Sequence, residues 1–116
     1  MKFGPYQARV DSVHDGDTVS LSIDLGFDHL ISSTDLDGKP RLSCRIFGIN
    51  APELSTDAGK TALAFAKTIL PDGSRVQVIS HGWDKYGGRF DGDILLPNGE
   101  SFASKMIMSG NAVAMP

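Results

Sequence analysis

A small β-barrel with two helices is the fold predicted for this chain of 116 residues, and three observations predict it. Five segments alternate apolar and polar residues with the period of a half-buried strand. One stretch between the third and fourth segments repeats its apolar residues at helical spacing, and a shorter one follows the fifth. Asp-Gly, Pro-Asp-Gly and Asn-Gly pairs punctuate the boundaries. The order that results is β-β-β-α-β-β-α.

In the first strand, Tyr6, Ala8 and Val10 alternate with Gln7 and Arg9. Val13 falls out of phase with that row, which predicts a bulge near Asp11 or Ser12. Asp15-Gly16 reads as a turn. From Thr18 to Leu25 the alternation is strict: Val19, Leu21, Ile23 and Leu25 face one way, Thr18, Ser20, Ser22 and Asp24 the other. A polar stretch from Gly26 to Pro40 separates this strand from the third, Arg41 to Ile49, where Leu42, Cys44 and Ile46 are in register. Pro52 ends the third strand, and Ser55 is the expected N-cap of the helix that follows. Asp57 in the first turn complements the helix dipole. Ala58, Ala62, Phe65, Ala66, Ile69 and Leu70 then form one apolar stripe, and Pro71-Asp72-Gly73 stops it. Arg75 to Ser80 and Arg89 to Leu96 are strands four and five, with Asn98-Gly99 as the turn beyond. Phe102, Ala103, Met106 and Ile107 predict a short second helix with Gly110 just past its end. Five strands with a helix after the third match the five-stranded Greek-key barrel of the OB type.

The length suits one domain with one core, spanning 1–116. No apolar run approaches the ~20 residues of a membrane span, and the first ten residues lack the apolar core of a signal peptide, so a cytoplasmic monomer with no membrane partner is expected. Cys44 is the only cysteine and sits among apolar neighbours, which predicts an inert buried thiol. The net charge of −3 disfavours a protein that coats nucleic acid, because such affinity rests on summed lysine and arginine. An enzyme needs only a local basic site. His14 is read as a turn residue and His81 as a loop residue, since neither has a partner at ligand spacing. Trp83 suits either a stacking platform or a lid on the core.

Strand phase marks one end of the barrel. Asp17 continues the row Val19, Leu21, Ile23 backwards by two, and Asn50 continues Leu42, Cys44, Ile46, Gly48 forwards by two. If those strands pair antiparallel, both polar side chains cap the same end of the apolar interior. A carboxylate there requires a cation, an arginine or water. A hard cation with oxygen ligands suits Asp17, the Asn50 amide oxygen and water. The plainer alternative is that Asp15 and Asp17 only shape a turn.

Four blocks carry a further signal: His14-Asp15-Gly16-Asp17-Thr18, Arg45-Ile46-Phe47-Gly48-Ile49-Asn50-Ala51-Pro52-Glu53, Asp84-Lys85-Tyr86-Gly87-Gly88-Arg89 and Ser109-Gly110-Asn111-Ala112. In order and spacing they resemble the staphylococcal nuclease family, over roughly Tyr6 to Val113. The wording of Asp24-Leu25-Gly26-Phe27 and Gly48 to Glu53 looks like bacteriophage versions of it. The resemblance implies a divalent-metal-dependent endonuclease acting on DNA or RNA, with calcium as the cation. Carried over residue by residue, the metal ligands are Asp17, Asn50 and the Ala51 carbonyl. Asn50 stands where the family has an aspartate, which keeps an oxygen donor and removes one charge. Glu53 falls at the general-base position, Arg45 and Arg89 at the phosphate-binding arginines, and Lys85 and Tyr86 at substrate-binding positions. Arg89 follows two glycines where the family pattern has one. Two rivals remain: a non-catalytic OB module that binds nucleic acid or protein with a degenerate metal site, and a purely structural domain.

Overall fold

Strand β1 (Phe3–Asp15) is hydrogen-bonded along both edges, and this closes the barrel. The computed structural model describes residues 2–24, 30–31, 42–83 and 89–115, with only the backbone of 30–31. Strand β2 (Thr18–Asp24) returns antiparallel to β1, and a two-residue strand β3 (Leu30–Ile31) pairs with the far end of β2. Strand β4 (Ser43–Ile46) lies antiparallel to the start of β2, and β5 (Ile49–Asn50) follows after a turn. Helix α1 (Asp57–Ile69) leads to β6 (Arg75–Trp83), which pairs antiparallel with β1 and with β7 (Phe90–Leu95). Strand β7 runs parallel to β4. The ring β1-β6-β7-β4-β2-β1 is therefore a closed, mixed, five-stranded barrel. Helix α2 (Phe102–Met108) follows, and β8 (Val113–Ala114) pairs with β5 as a separate ribbon.

The barrel strands and both helices occur in the predicted order. The predicted bulge is present as a register shift between Val10 and Ser12. Gly110 adopts φ +80° immediately after the Ser109 cap of α2, as its C′ role requires. Cys44 is fully buried, and burial together with Asp91 and Asp93 pushes its thiol well above the ordinary value. Both rows of β2 are buried: Val19, Leu21 and Ile23 in the core, and Thr18, Ser20 and Ser22 on the opposite face. Neighbouring strands flank β2 on both sides, and Ser22 is satisfied by donating to Asp11 Oδ2 at 2.7 Å.

Four local expectations are corrected. The third strand does not run to Ile49: a turn at Phe47-Gly48, with Gly48 at φ +82°, splits it into β4 and β5. The N-cap of α1 is Thr56, not Ser55, and its hydroxyl accepts the Gly59 N–H at 2.9 Å. Ala58 is exposed, and the buried face of α1 is Gly59, Ala62 and Ala66. His14 lies in β1 and His81 in β6, because both strands extend beyond their alternating segments.

Two glycines join the helices to one end of the barrel. A Cβ on Gly16 would lie 2.7 Å from Ala51 Cβ, 3.2 Å from the Met106 methyl and 3.3 Å from Ala62 Cβ. The β1–β2 turn is thus wedged among the 51–53 segment, α1 and α2. A Cβ on Gly59 would collide with the Glu53 carbonyl, which accepts from Thr56 N at 3.0 Å and Thr56 Oγ1 at 2.7 Å. Gly59→Ala gains about 1 kcal/mol of helix propensity, while the clash with backbone costs about 1–3 kcal/mol. Urea denaturation should therefore show Gly59→Ala less stable than the parent, and a more stable variant would mean that this approach is loose.

Candidate active site

The site is built on the β1–β2 turn. Asp17 N donates to Asp15 Oδ1 at 3.0 Å, which folds the turn back on itself. Asp17 O accepts from Ile46 N at 2.8 Å, and Asp17 Oδ2 accepts from Ala51 N at 3.0 Å. One residue thus grips both ends of the Ile46 to Ala51 segment, with its backbone at one end and its side chain at the other. Thr18 Oγ1 donates to Asp17 Oδ1 at 3.3 Å.

Asp15 and Asp17 are half-buried neighbours. Burial raises the Asp17 carboxyl above the ordinary value, and Asp15 reinforces this; the Ala51 N–H and the Arg45 charge oppose it. For Asp15, burial also acts upward, but hydrogen bonds with the Asp17 side chain and backbone, the His14 charge and Thr18 outweigh it and hold Asp15 below the ordinary value. The pair thus retains a proton on Asp17 more readily than two separate aspartates would.

Arg45 stands opposite Thr18 in the β2–β4 ladder, and its Nη2 donates to the Ile49 carbonyl at 3.4 Å and approaches Met115 Sδ at 3.7 Å. Alternation sets Arg45 and Asn50 on opposite faces of one strand, but the Phe47-Gly48 turn interrupts that strand and removes the comparison. The same turn overturns the phase argument for Asn50. Ile49 is the buried residue of β5, while Asn50 is exposed and pairs with Val113. Asn50, Ala51 and Pro52 line a cleft of about 200 Å³ with residues 110–113. Glu53 lies two residues beyond Ala51, its side chain exposed and its backbone fixed by Thr56. Arg89, half-buried, immediately precedes β7, whose Phe90 and Asp91 stand beside Cys44 and Arg45. Lys85 and Tyr86 lie outside the described residues.

The model of the staphylococcal nuclease homologue family matches residues 43–116. The chain belongs to that family. Its closed mixed barrel with two helices is the architecture the family implies. No curated protein matches the chain. Members of the family are generally calcium-dependent nucleases. The matched span takes in Arg45, Asn50, Ala51, Glu53 and Arg89, and the Asp17–Ala51 hydrogen bond ties the preceding hairpin to it. Among the described residues, no helix is long and apolar enough to cross a membrane.

The donors at this end of the barrel fit a hard divalent cation by their chemistry. All are oxygens, two are adjacent carboxylates, and Asp17 is pushed toward its neutral form in a way that a cation would reverse. Among the described residues, no group of three or more His, Cys, Asp or Glu gathers there. A cation held at Asp17 would therefore depend on neutral oxygens for the rest of its shell.

Sequence reading treated Asp15 only as a turn former. Its spacing from Asp17 already signalled a pair, but the shared proton depends on the backward fold of the turn. As pH rises from the ordinary carboxylate range toward the raised Asp17 value, the folded chain keeps a proton that the unfolded chain has lost, so the Asp17 contribution to stability falls. In calcium-free buffer, Asp17→Asn should then raise the melting temperature at neutral pH, with the gain fading below pH 3.8. A variant equally destabilised at both pH values would show that the acceptor role of Asp17 outweighs its charge.

Proposed function

We propose that this chain is a divalent-cation-dependent endonuclease that hydrolyses phosphodiester bonds of DNA or RNA at the Asp17 end of the barrel. The observation that carries this reading is the hydrogen bond from Ala51 N to Asp17 Oδ2. It brings the Asp15–Asp17 pair against the segment that contains Arg45, Asn50 and Glu53.

Asp17, with the Asn50 amide and Ala51 carbonyl oxygens, would hold calcium, which when bound would supply Lewis acidity toward the phosphate and acidify water. Arg45 neutralises phosphate charge with a planar guanidinium that can donate two parallel hydrogen bonds. Its hold on the Ile49 carbonyl is a long one, 3.4 Å, and yields readily to a phosphate oxygen. Arg89 takes the second phosphate position, and Lys85 and Tyr86 are assigned to substrate binding by the family resemblance alone. Glu53, exposed on a backbone pinned by Thr56, accepts the proton of the attacking water. The new O–P bond forms as the bond to the leaving sugar oxygen breaks, and that oxygen takes a proton from solvent.

One specific observation favours a second reading, a non-catalytic binding module: Asn50 replaces a carboxylate in a site that already gathers few acidic groups. Digestion of plasmid DNA and of RNA with calcium, with magnesium and with chelator separates the two. Cleavage that requires a cation and disappears in Asp17→Ala supports the nuclease, and tight binding without cleavage supports the module. Glu53→Gln should keep nucleic-acid affinity and slow turnover by roughly 10²–10⁴-fold; unchanged turnover would return Glu53 to a purely structural place before α1.

Asn50→Asp adds the missing charge to the oxygen set and should tighten calcium binding, since affinity at such sites follows ligand charge. Calorimetric titration of both proteins measures this. Equal affinities would remove Asn50 from the cation site.

A further inference from the structure

His81 is a largely buried polar side chain in the barrel wall, outside the set of residues assigned to catalysis. Its side chain is 12% exposed, and Nε2 lies 3.0 Å from Asp93 Oδ2. With the hydrogen on Nε2, the imidazole donates to this carboxylate. The Phe47 ring lies flat on the imidazole, with centroids 4.1 Å apart and planes 14° apart. Phe47 itself is half exposed, and its ring rests on this imidazole.

Phe47 is the first residue of the turn that breaks the third strand, between Arg45 and Asn50. The backbone of that turn is tied on two sides: Phe47 N donates to Gly92 O at 2.8 Å, and Met115 N donates to Gly48 O at 2.8 Å. Gly48 at φ +82° provides the reversal but no side chain to hold it. The stack adds a side-chain anchor to these two backbone bonds.

We propose that His81, oriented by Asp93, is a positioning residue that sets the Phe47-Gly48 turn and thereby the relative placement of Arg45 and the Asn50 to Glu53 segment. The proposal rests on the nuclease reading for its kinetic consequence and on the stack alone for its structural one. Misplacement of a phosphate-binding group by about 1 Å lowers turnover by on the order of 10²-fold. His81→Ala should therefore lower kcat by roughly 10–10²-fold with KM moved far less. His81→Phe, which keeps a ring under Phe47, should recover most of the loss. His81→Gln keeps a donor for Asp93 without the ring and should behave like His81→Ala, which covers the case of an alanine variant that does not fold.

A second measurement does not depend on cleavage. The backbone amide resonances of Gly48, Asn50 and Ala51 should shift in His81→Gln and return toward the parent in His81→Phe. Unchanged resonances in both variants would overturn the positioning role. If the parent protein cleaves no nucleic acid while the resonances behave as expected, the nuclease reading fails and the positioning role stands. If kcat falls equally in His81→Gln and His81→Phe, the ring is not what sets the turn, and the proposal is wrong.

Discussion

The bond between Asp17 Oδ2 and the Ala51 N–H holds the candidate site together. Asp17 belongs to the hairpin that opens the barrel, whereas Ala51 follows the short ribbon strand that leaves it. This bond adds a side-chain tie to the Ile46 N–H to Asp17 carbonyl bond and the packing of Gly16 on Ala51. The bond also gives a half-buried carboxylate a donor, although the Asp15 neighbour still pushes Asp17 toward its neutral form. A polar group of this kind is expensive to bury alone and rigid when satisfied. The same residue therefore has two roles in tension, as a structural acceptor and, in the proposed function, as a charged ligand.

Close packing supports that bond from behind. Gly16 lets Ala51, Ala62 and Met106 converge on the turn, so both helices press on the segment that bears Ala51. Gly59 allows the first turn of α1 to approach the Glu53 carbonyl, and Thr56 closes the gap by donating to the same oxygen. The backbone around Glu53 is thus defined by helix capping rather than by strand pairing. On the far side, the Phe47–His81 stack and the Gly92 hydrogen bond steady the turn before Asn50. The segment from Arg45 to Glu53 is held at intervals along its length by unrelated elements of the fold.

Much of this was readable from residues alone. Strict alternation in β2, the out-of-phase Val13, the glycine after α2 and the proline-led end of α1 each depend on local sterics and burial, which neighbours in sequence decide. The candidate residues Asp17, Arg45, Asn50, Ala51, Glu53 and Arg89 came from motif spacing, and the family match over 43–116 agrees with the resemblance that supplied them. Phase arguments failed where a single glycine reversed the chain. Counting by twos from Leu42 to Asn50 assumes an unbroken strand, and Gly48 at positive φ breaks it. The N-cap moved by one residue because Ser55 and Thr56 are both competent caps, and only the approach of Gly59 selects between them.

The sequence by itself determined the order of strands and helices, the buried thiol and the chemistry available at the barrel end. These follow from side-chain type and period, which act over a few residues. Tertiary structure decided which of those groups meet. The pairing of β4 with both β2 and β7 sets Arg45 beside Thr18 and Asp91. The wedge at Gly16 brings Asp17 to Ala51, and the β6–β7 register sets His81 diagonal to Asp93 and under Phe47. Each of these contacts joins residues at least 12 positions apart, and only closure of the barrel fixes their separation.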